Sequence, residues 1–226
     1  MNRLLLAGGA IVAIAGLGSL GLSYRNREVP GERPSAERPT LALLTSLPLV
    51  FGESFSLQGG GSPALTRLEQ RYKVMPVGVA DATSLKGQRL LLMAHPRAQP
   101  AEALAQLDQW VRAGGHLLLL ADPRLDWPSD RPLGDRLRPP PAFADTGLLA
   151  HWGLSLNAPD PDGPASAGTL AGGGECKVRT DGLVARCRIG RGAATVIADA
   201  DFLNATQPDA SDLDLLVVEL ERLETR

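Results

Sequence analysis

The sequence predicts an α/β fold with a mostly parallel sheet and helices on both faces, and three observations carry that expectation. Leu90 to Ala94 and Leu117 to Ala121 are apolar runs too short for helices, so both read as strands buried on two faces. Between them, Ala101, Leu104, Leu107 and Val111 repeat at helical spacing, with Pro100 at the first helical position, Glu102 in the positive first turn, and Gly114-Gly115 as the stop. Two such strands joined by one helix are most economically a right-handed parallel crossover, which requires helices on both faces of the sheet.

Ahead of this unit lies a different kind of segment. Leu4 to Tyr24 contains no charged residue, and 21 helical residues at about 1.5 Å each match the hydrocarbon thickness of a bilayer. The run is longer than a signal-peptide core and no Ala-x-Ala-like site follows it, so residues 1–24 are expected to be an uncleaved membrane anchor. Arg3 and the amino terminus on one side are matched by Arg25 and Arg27 on the other, so positive charge alone does not orient it. Residues 25–39 carry three prolines and seven charges and read as a solvated, flexible linker, leaving 40–226 as the folded domain. The five arginines and three glutamates before Thr40 leave 18 basic and 22 acidic residues, a net charge of −4. Such a surface argues against nucleic acid as the partner.

Within the domain, Thr40 to Thr45 reads as the first core strand and Ser46 to Gly61 as a long loop. Ser62 and Pro63 open a helix reaching about Tyr72, and a strand over Lys73 to Val79 follows. Gly59, Gly60 and Gly61 lack the lysine of a P-loop and the spacing of a dinucleotide fingerprint, so they read as loop. Leu125 to Pro141 is a proline-rich loop long enough to be functional. Thr146 to Trp152 predicts a short helix, Leu154 to Leu156 a brief edge strand, and Asn157 to Gly174 irregular chain. Asp181-Gly182 is a favoured two-residue hairpin turn, and counting outward from it sets Cys176 opposite Cys187. That register suits a disulfide, the alternative being two reduced thiols that happen to face each other. A disulfide implies an oxidising compartment and so orients the anchor with the domain outside the cytoplasm. Thr195 to Ala198 reads as another buried strand. A final helix, capped by Ser211 with Asp214 three residues on, carries the stripe Leu213, Leu216, Val217, Leu220 and Leu223.

The stretch LLLMAHPRAQPAEALAQLDQWVRAGGHLLLLADPR, with the later RIGRGAATVIADADFL, resembles the soluble domain of uncharacterised ABC-type transport proteins related to the gliding-motility auxiliary component. The resemblance spans roughly Thr40 to Leu223. It implies a flavodoxin-like, class I glutamine amidotransferase-like domain, tethered to the bacterial inner membrane by a single span and facing the periplasm, with ABC permease or ATPase subunits, or another membrane protein, as partners. It supplies no catalytic residues to carry over.

Two functions remain open at this level. One is a non-catalytic accessory or binding component, with no cofactor and no metal; the other is a hydrolase or metal-dependent enzyme. The position an amidotransferase nucleophile would occupy holds His95-Pro96, the cysteines lie elsewhere, and no Gly-x-Ser-x-Gly elbow occurs. His95, Asp122 and Asp199 follow strands at their carboxyl ends, where open α/β sheets bind ligands, and Arg124, Asp126 and Asp201 add charge to the same rim. The plainer reading is that they cap helices and solvate loops. Trp127 and Arg131, with Arg136 and Arg138, are of the residue types enriched at interface anchors.

Overall fold

The computed structural model describes residues 29–51, 61–162 and 166–226. Residues 31–226 form one compact unit. The expected anchor over residues 4–24 lies outside the described residues; among the described residues no helix is long and apolar enough to cross a membrane.

The central sheet follows from the apolar runs. β1 (Thr40–Thr45), β2 (Lys73–Pro76), β3 (Leu90–Ala94), β4 (His116–Leu120) and β9 (Gly192–Ile197) are mutually parallel, and the antiparallel pair β7 (Cys176–Val178) and β8 (Val184–Ile189) extends the sheet at one edge. The strand order is β2-β1-β3-β4-β9-β8-β7. The hairpin anticipated from Asp181-Gly182 is therefore a continuation of the main sheet, because β8 finds a partner in β9 over its whole length. A second, two-stranded sheet pairs β5 (Leu154–Asn157) with β6 (Thr169–Gly172).

Side chains alternate across the strands, so each face needs its own cover. On one face α1 (Pro63–Glu69) and α4 (Asp214–Glu224) bury Leu65, Leu68, Leu216 and Leu220 against Leu43, Leu92 and Leu118. On the other, α2 (Ala101–Arg112) and α3 (Leu148–His151) bury Leu107, Val111, Leu148 and Trp152 against Leu91, Leu117 and Val196. This two-sided burial is why β3 and β4 are apolar throughout rather than alternating. Gly192 is required by the same packing: a Cβ there would lie 2.1 Å from the Val111 carbonyl oxygen at the end of α2.

Several local expectations are corrected. Residues 31–39 are not a free tether. Arg33 bonds Glu224 at 2.8 Å and stacks over Tyr72, Arg71 donates to the Gly31 carbonyl, and Ser35–Glu37 form a 3-10 turn. Arginines read as solvating groups thus become anchors, because α4 presents Glu221 and Glu224 to them. Pro100 caps α2 rather than starting it, and Ala103 replaces the exposed Ala101 on its buried face. Ser211 opens a 3-10 turn instead of capping the last helix, which begins at Asp214 without a side-chain cap.

Candidate functional site

The parallel strands end together, so one edge of the sheet collects Thr45, Ala94, Leu120 and Ile197 and the residues that follow them. This carboxyl edge holds His95, Asp122, Asp199 and Asp201. Carboxylate oxygens of Asp122, Asp199 and Asp201 lie within 4.8 Å of one another. Asp122 is buried, and its two oxygens accept the backbone N–H groups of Arg124 and Ala200 at 2.8 and 2.9 Å. Asp199 accepts from the amide of Asp201, and Asp201 from that of Asp126. The acids therefore stitch the loop after β4 to the turn after β9. An all-oxygen set of this kind is the chemistry that hard divalent cations use, yet each carboxylate already has a backbone donor that accounts for its position.

Crowding raises the proton affinity of Asp199 and Asp201. Burial raises the Asp199 pKa above the ordinary value, with the charge of Asp122 adding to it. Asp201 is pushed up to about 6, first by burial and then by the charges of Asp122, Asp199 and Asp126, against the opposing amide of Asp126. A carboxyl whose pKa is raised on folding favours the folded state while protonated, and that advantage disappears as pH climbs from about 4 through about 6. Asp201→Asn keeps an acceptor for the Asp126 amide. It should raise stability at pH 7.5 by about 1 kcal/mol, after allowance for solvent screening, and leave it unchanged at pH 4. Urea unfolding at both values tests this, and an equal difference at the two would remove the crowding argument.

His95 is fully buried, with a left-handed backbone at φ 46°. Its Nε2 donates to the Pro140 carbonyl at 2.9 Å, its own carbonyl accepts from Ser46 Oγ at 2.5 Å, and its Nδ1 has no partner. Burial holds its pKa below the usual histidine value. A neutral imidazole donating through Nε2 is a latch that closes the end of the 125–141 loop onto β3, a structural task rather than an acid–base one. Both cysteines are joined in a disulfide with a Cα–Cα separation of 3.9 Å, so neither is a thiolate nucleophile.

The loop itself is cross-linked. Leu125 N–H donates to Pro141, Arg138 to the carbonyl of Arg131, and Arg97 to the carbonyls of Arg136 and Arg138 at 2.7 and 2.6 Å. Trp127, expected as an exposed anchor, is half-buried against the core, and Arg131 pairs with Asp135 at 3.8 Å. Arg124 and Asp126 are exposed at its start. What the loop offers to solvent is Leu133, 85% exposed, and Leu137, 65% exposed, with Arg136 between them. Phe51, 83% exposed, completes the group. Two adjoining clefts run along it. One, of about 330 Å³, is lined by Ser46, Val50, Phe51, Arg97, Arg136 and Leu137; the other, of about 350 Å³, by Arg97, Trp127, Leu133 and Arg138. Sequence reasoning found the loop but not these residues. Apolar side chains at 133 and 137, inside a polar stretch, were the available signal.

Comparison with solved structures bears on the fold alone. The chain is similar to the mmIFT52 N-terminal domain at 14% identity, with a TM-score of 0.54 over 83% of this chain and 98% of that one. It also matches the exo-β-1,4-mannosidase Op5Man5 from Opitutaceae bacterium strain TAV5, at 17% identity and TM-score 0.40. A third match is a β-galactosidase from Bacillus circulans sp. alkalophilus, at 13% identity and TM-score 0.40. These two alignments cover 83% and 82% of this chain but only 35% and 31% of the enzymes, and their scores are too low to bear on activity. No curated protein matches the chain. A family model does: that of the ABC-type uncharacterized transport system matches residues 38–159, more than half of the sequence, and the chain belongs to that family.

Proposed function

We propose that the chain is a non-catalytic, membrane-tethered accessory component of an ABC-type transport system, with its folded domain in the periplasm and its carboxyl-edge loop engaging the permease or ATPase subunits or another membrane protein. Family membership supports the transport setting. The apolar segment over residues 4–24 supports the tether to a bacterial inner membrane, and the disulfide supports an oxidising compartment. The parallel order β2-β1-β3-β4-β9 is that of flavodoxin-like sheets, which supports the amidotransferase-like reading of the fold.

The observation that carries the binding role is the exposed trio Phe51, Leu133 and Leu137 beside Arg97 and Arg136, on a loop already held in one conformation by its own hydrogen bonds. Such a surface loses little entropy on binding and offers both an apolar centre and a charged rim. Replacing Leu133 and Leu137 with serine and Arg136 with glutamate should abolish co-purification of ABC subunits, identified by peptide mass, from native membrane. The unfolding free energy should stay within about 0.5 kcal/mol of wild type, as expected for exposed positions. Unchanged co-purification would remove the loop from the argument.

A second reading, a hydrolase or metal-dependent enzyme using the rim at the strand carboxyl ends, is favoured by the Asp122–Asp199–Asp201 cluster. Calorimetric titration with Mg²⁺ and Ca²⁺ separates the two readings: saturable heat that disappears in Asp201→Asn would favour the enzyme.

A further inference from the structure

The opposite, amino edge of the sheet has a composition that the partner-binding loop does not explain. It is formed by the starts of β3, β4 and β9 and the end of the antiparallel β8, with the close of α4 beside them. Here His116, Arg188, Arg191, Gly192 and Arg226 line a pocket of about 350 Å³. The charge of Arg89 reaches the same place: with that of Arg226 it adds to burial in holding the His116 pKa down, against a hydrogen bond to the Leu223 carbonyl. Arg89, Arg188, Arg191 and Arg226 are all exposed, and none has an acidic partner among the described residues. The neighbouring acids are committed elsewhere. Glu221 and Glu224 are held by Arg71 and Arg33, and Glu175 faces Arg112 at 3.8 Å. In a domain of net charge −4, four unneutralised guanidinium groups on one edge are a local reversal of sign.

That edge is also where the chain arrives from its N-terminal segment. The stretch 31–39, which leads directly into the start of β1, is fastened by Arg71 to Gly31, by Gln70 to the Arg33 amide and by Pro39 to the Lys73 amide. Only six residues, Arg25 to Pro30, separate Tyr24 from Gly31, so the extended chain spans at most about 25 Å between them. The short covalent link from the apolar run enters the domain at this edge, which favours a bilayer surface as what the edge meets.

We propose that this edge docks on the headgroups of anionic phospholipids, with Arg89, Arg188, Arg191 and Arg226 taking the phosphates, and so holds the domain with its carboxyl-edge loop turned away from the bilayer. The inference rests on the anchor reading of residues 4–24. Guanidinium groups suit it because they bind phosphate oxygens bidentately, and a juxtamembrane cluster of basic groups gains affinity with each member.

The test uses the full chain in nanodiscs of phosphatidylcholine alone or with one part in three of phosphatidylglycerol, with arginines labelled by phenylglyoxal and quantified by mass spectrometry. Labelling of Arg188 and Arg191 should fall about threefold or more in the anionic discs, return at high salt, and leave Arg136 on the far edge unchanged. In an Arg188→Ala/Arg191→Ala variant, protection of Arg89 and Arg226 should be lost. Equal labelling in the two disc types, with the protein disc-bound, would overturn the docking surface while leaving the anchor intact. Protection by inorganic phosphate in neutral discs, equal to that by phosphatidylglycerol, would mark a soluble-anion site and overturn the lipid assignment. A chain that does not stay with the discs would overturn the anchor, and the docking surface with it.

Discussion

Arg186→Ala should lower the unfolding free energy by about 3–5 kcal/mol, the largest single effect expected outside the hydrophobic core. Arg186 on β8 meets Glu219 on α4 through two parallel bonds, Nε to Oε2 at 3.0 Å and Nη2 to Oε1 at 2.5 Å. Glu219 is fully buried, and a second basic side chain, Arg222, stands 3.5 Å away. Removing Arg186 takes both of these bonds from a buried carboxylate and leaves Arg222 at 3.5 Å to offset its charge. For a domain of this size the midpoint of thermal unfolding should drop by about 10 °C. Replacing both residues with apolar ones of similar volume, Arg186→Met with Glu219→Leu, should restore much of the loss, because the penalty lies in the stranded charge. A loss below about 1 kcal/mol in the single variant would show that the pair behaves as a surface ion pair and that α4 is held by its leucines alone.

Reduction of the Cys176–Cys187 disulfide should cost about 2–3 kcal/mol, as expected from the chain entropy of a loop closed over a sequence separation of 11. Both cysteines are buried, so reductant should act only on protein that has first been unfolded. Refolding with and without oxidant, followed by urea titration, measures the difference. The bond ties β7, the outermost strand, to β8, and the loss should appear first as faster amide exchange in Cys176–Val178. Peptide mapping of protein made in its native compartment decides whether the bond forms there. Two free thiols would remove both the stabilisation and the compartment argument built on it.

The carboxyl-edge rim was visible in the sequence because the end of an apolar run is a local property: whatever follows Ala94, Ala121 or Ala198 must stand at a strand end. Which of those residues touch was not visible. Asp122, Asp199 and Asp201 meet because β4 and β9 are neighbours, a pairing that joins residues nearly 80 positions apart. The exposure of Trp127 was not visible for a related reason. Residue type ranks it as an anchor, but how far an aromatic side chain in a loop faces solvent depends on the core that the loop happens to cover, and here Trp127 is half-buried against the core and lines a cleft, while Leu133 and Leu137 face out.

By itself, then, the sequence determined the strands of the main sheet, the intervening helices, the Asp181-Gly182 hairpin and the apolar N-terminal run, since each depends on periodicity or turn chemistry within a dozen or so neighbouring residues, whereas Thr169–Gly172, in a stretch read as irregular, is a strand only because it pairs with Leu154–Asn157. Only the tertiary structure decided that the 31–39 stretch is fastened to the domain, that Arg186 and Glu219 share a buried bond, that Arg188, Arg191 and Arg226 gather at one edge, and that Asp122, Asp199 and Asp201 meet at the other. Charged side chains carry no periodic signature. Their partners are set by which strands and helices become neighbours, and burial, the quantity that makes the loss of one partner of an ion pair costly, exists only after the chain has packed.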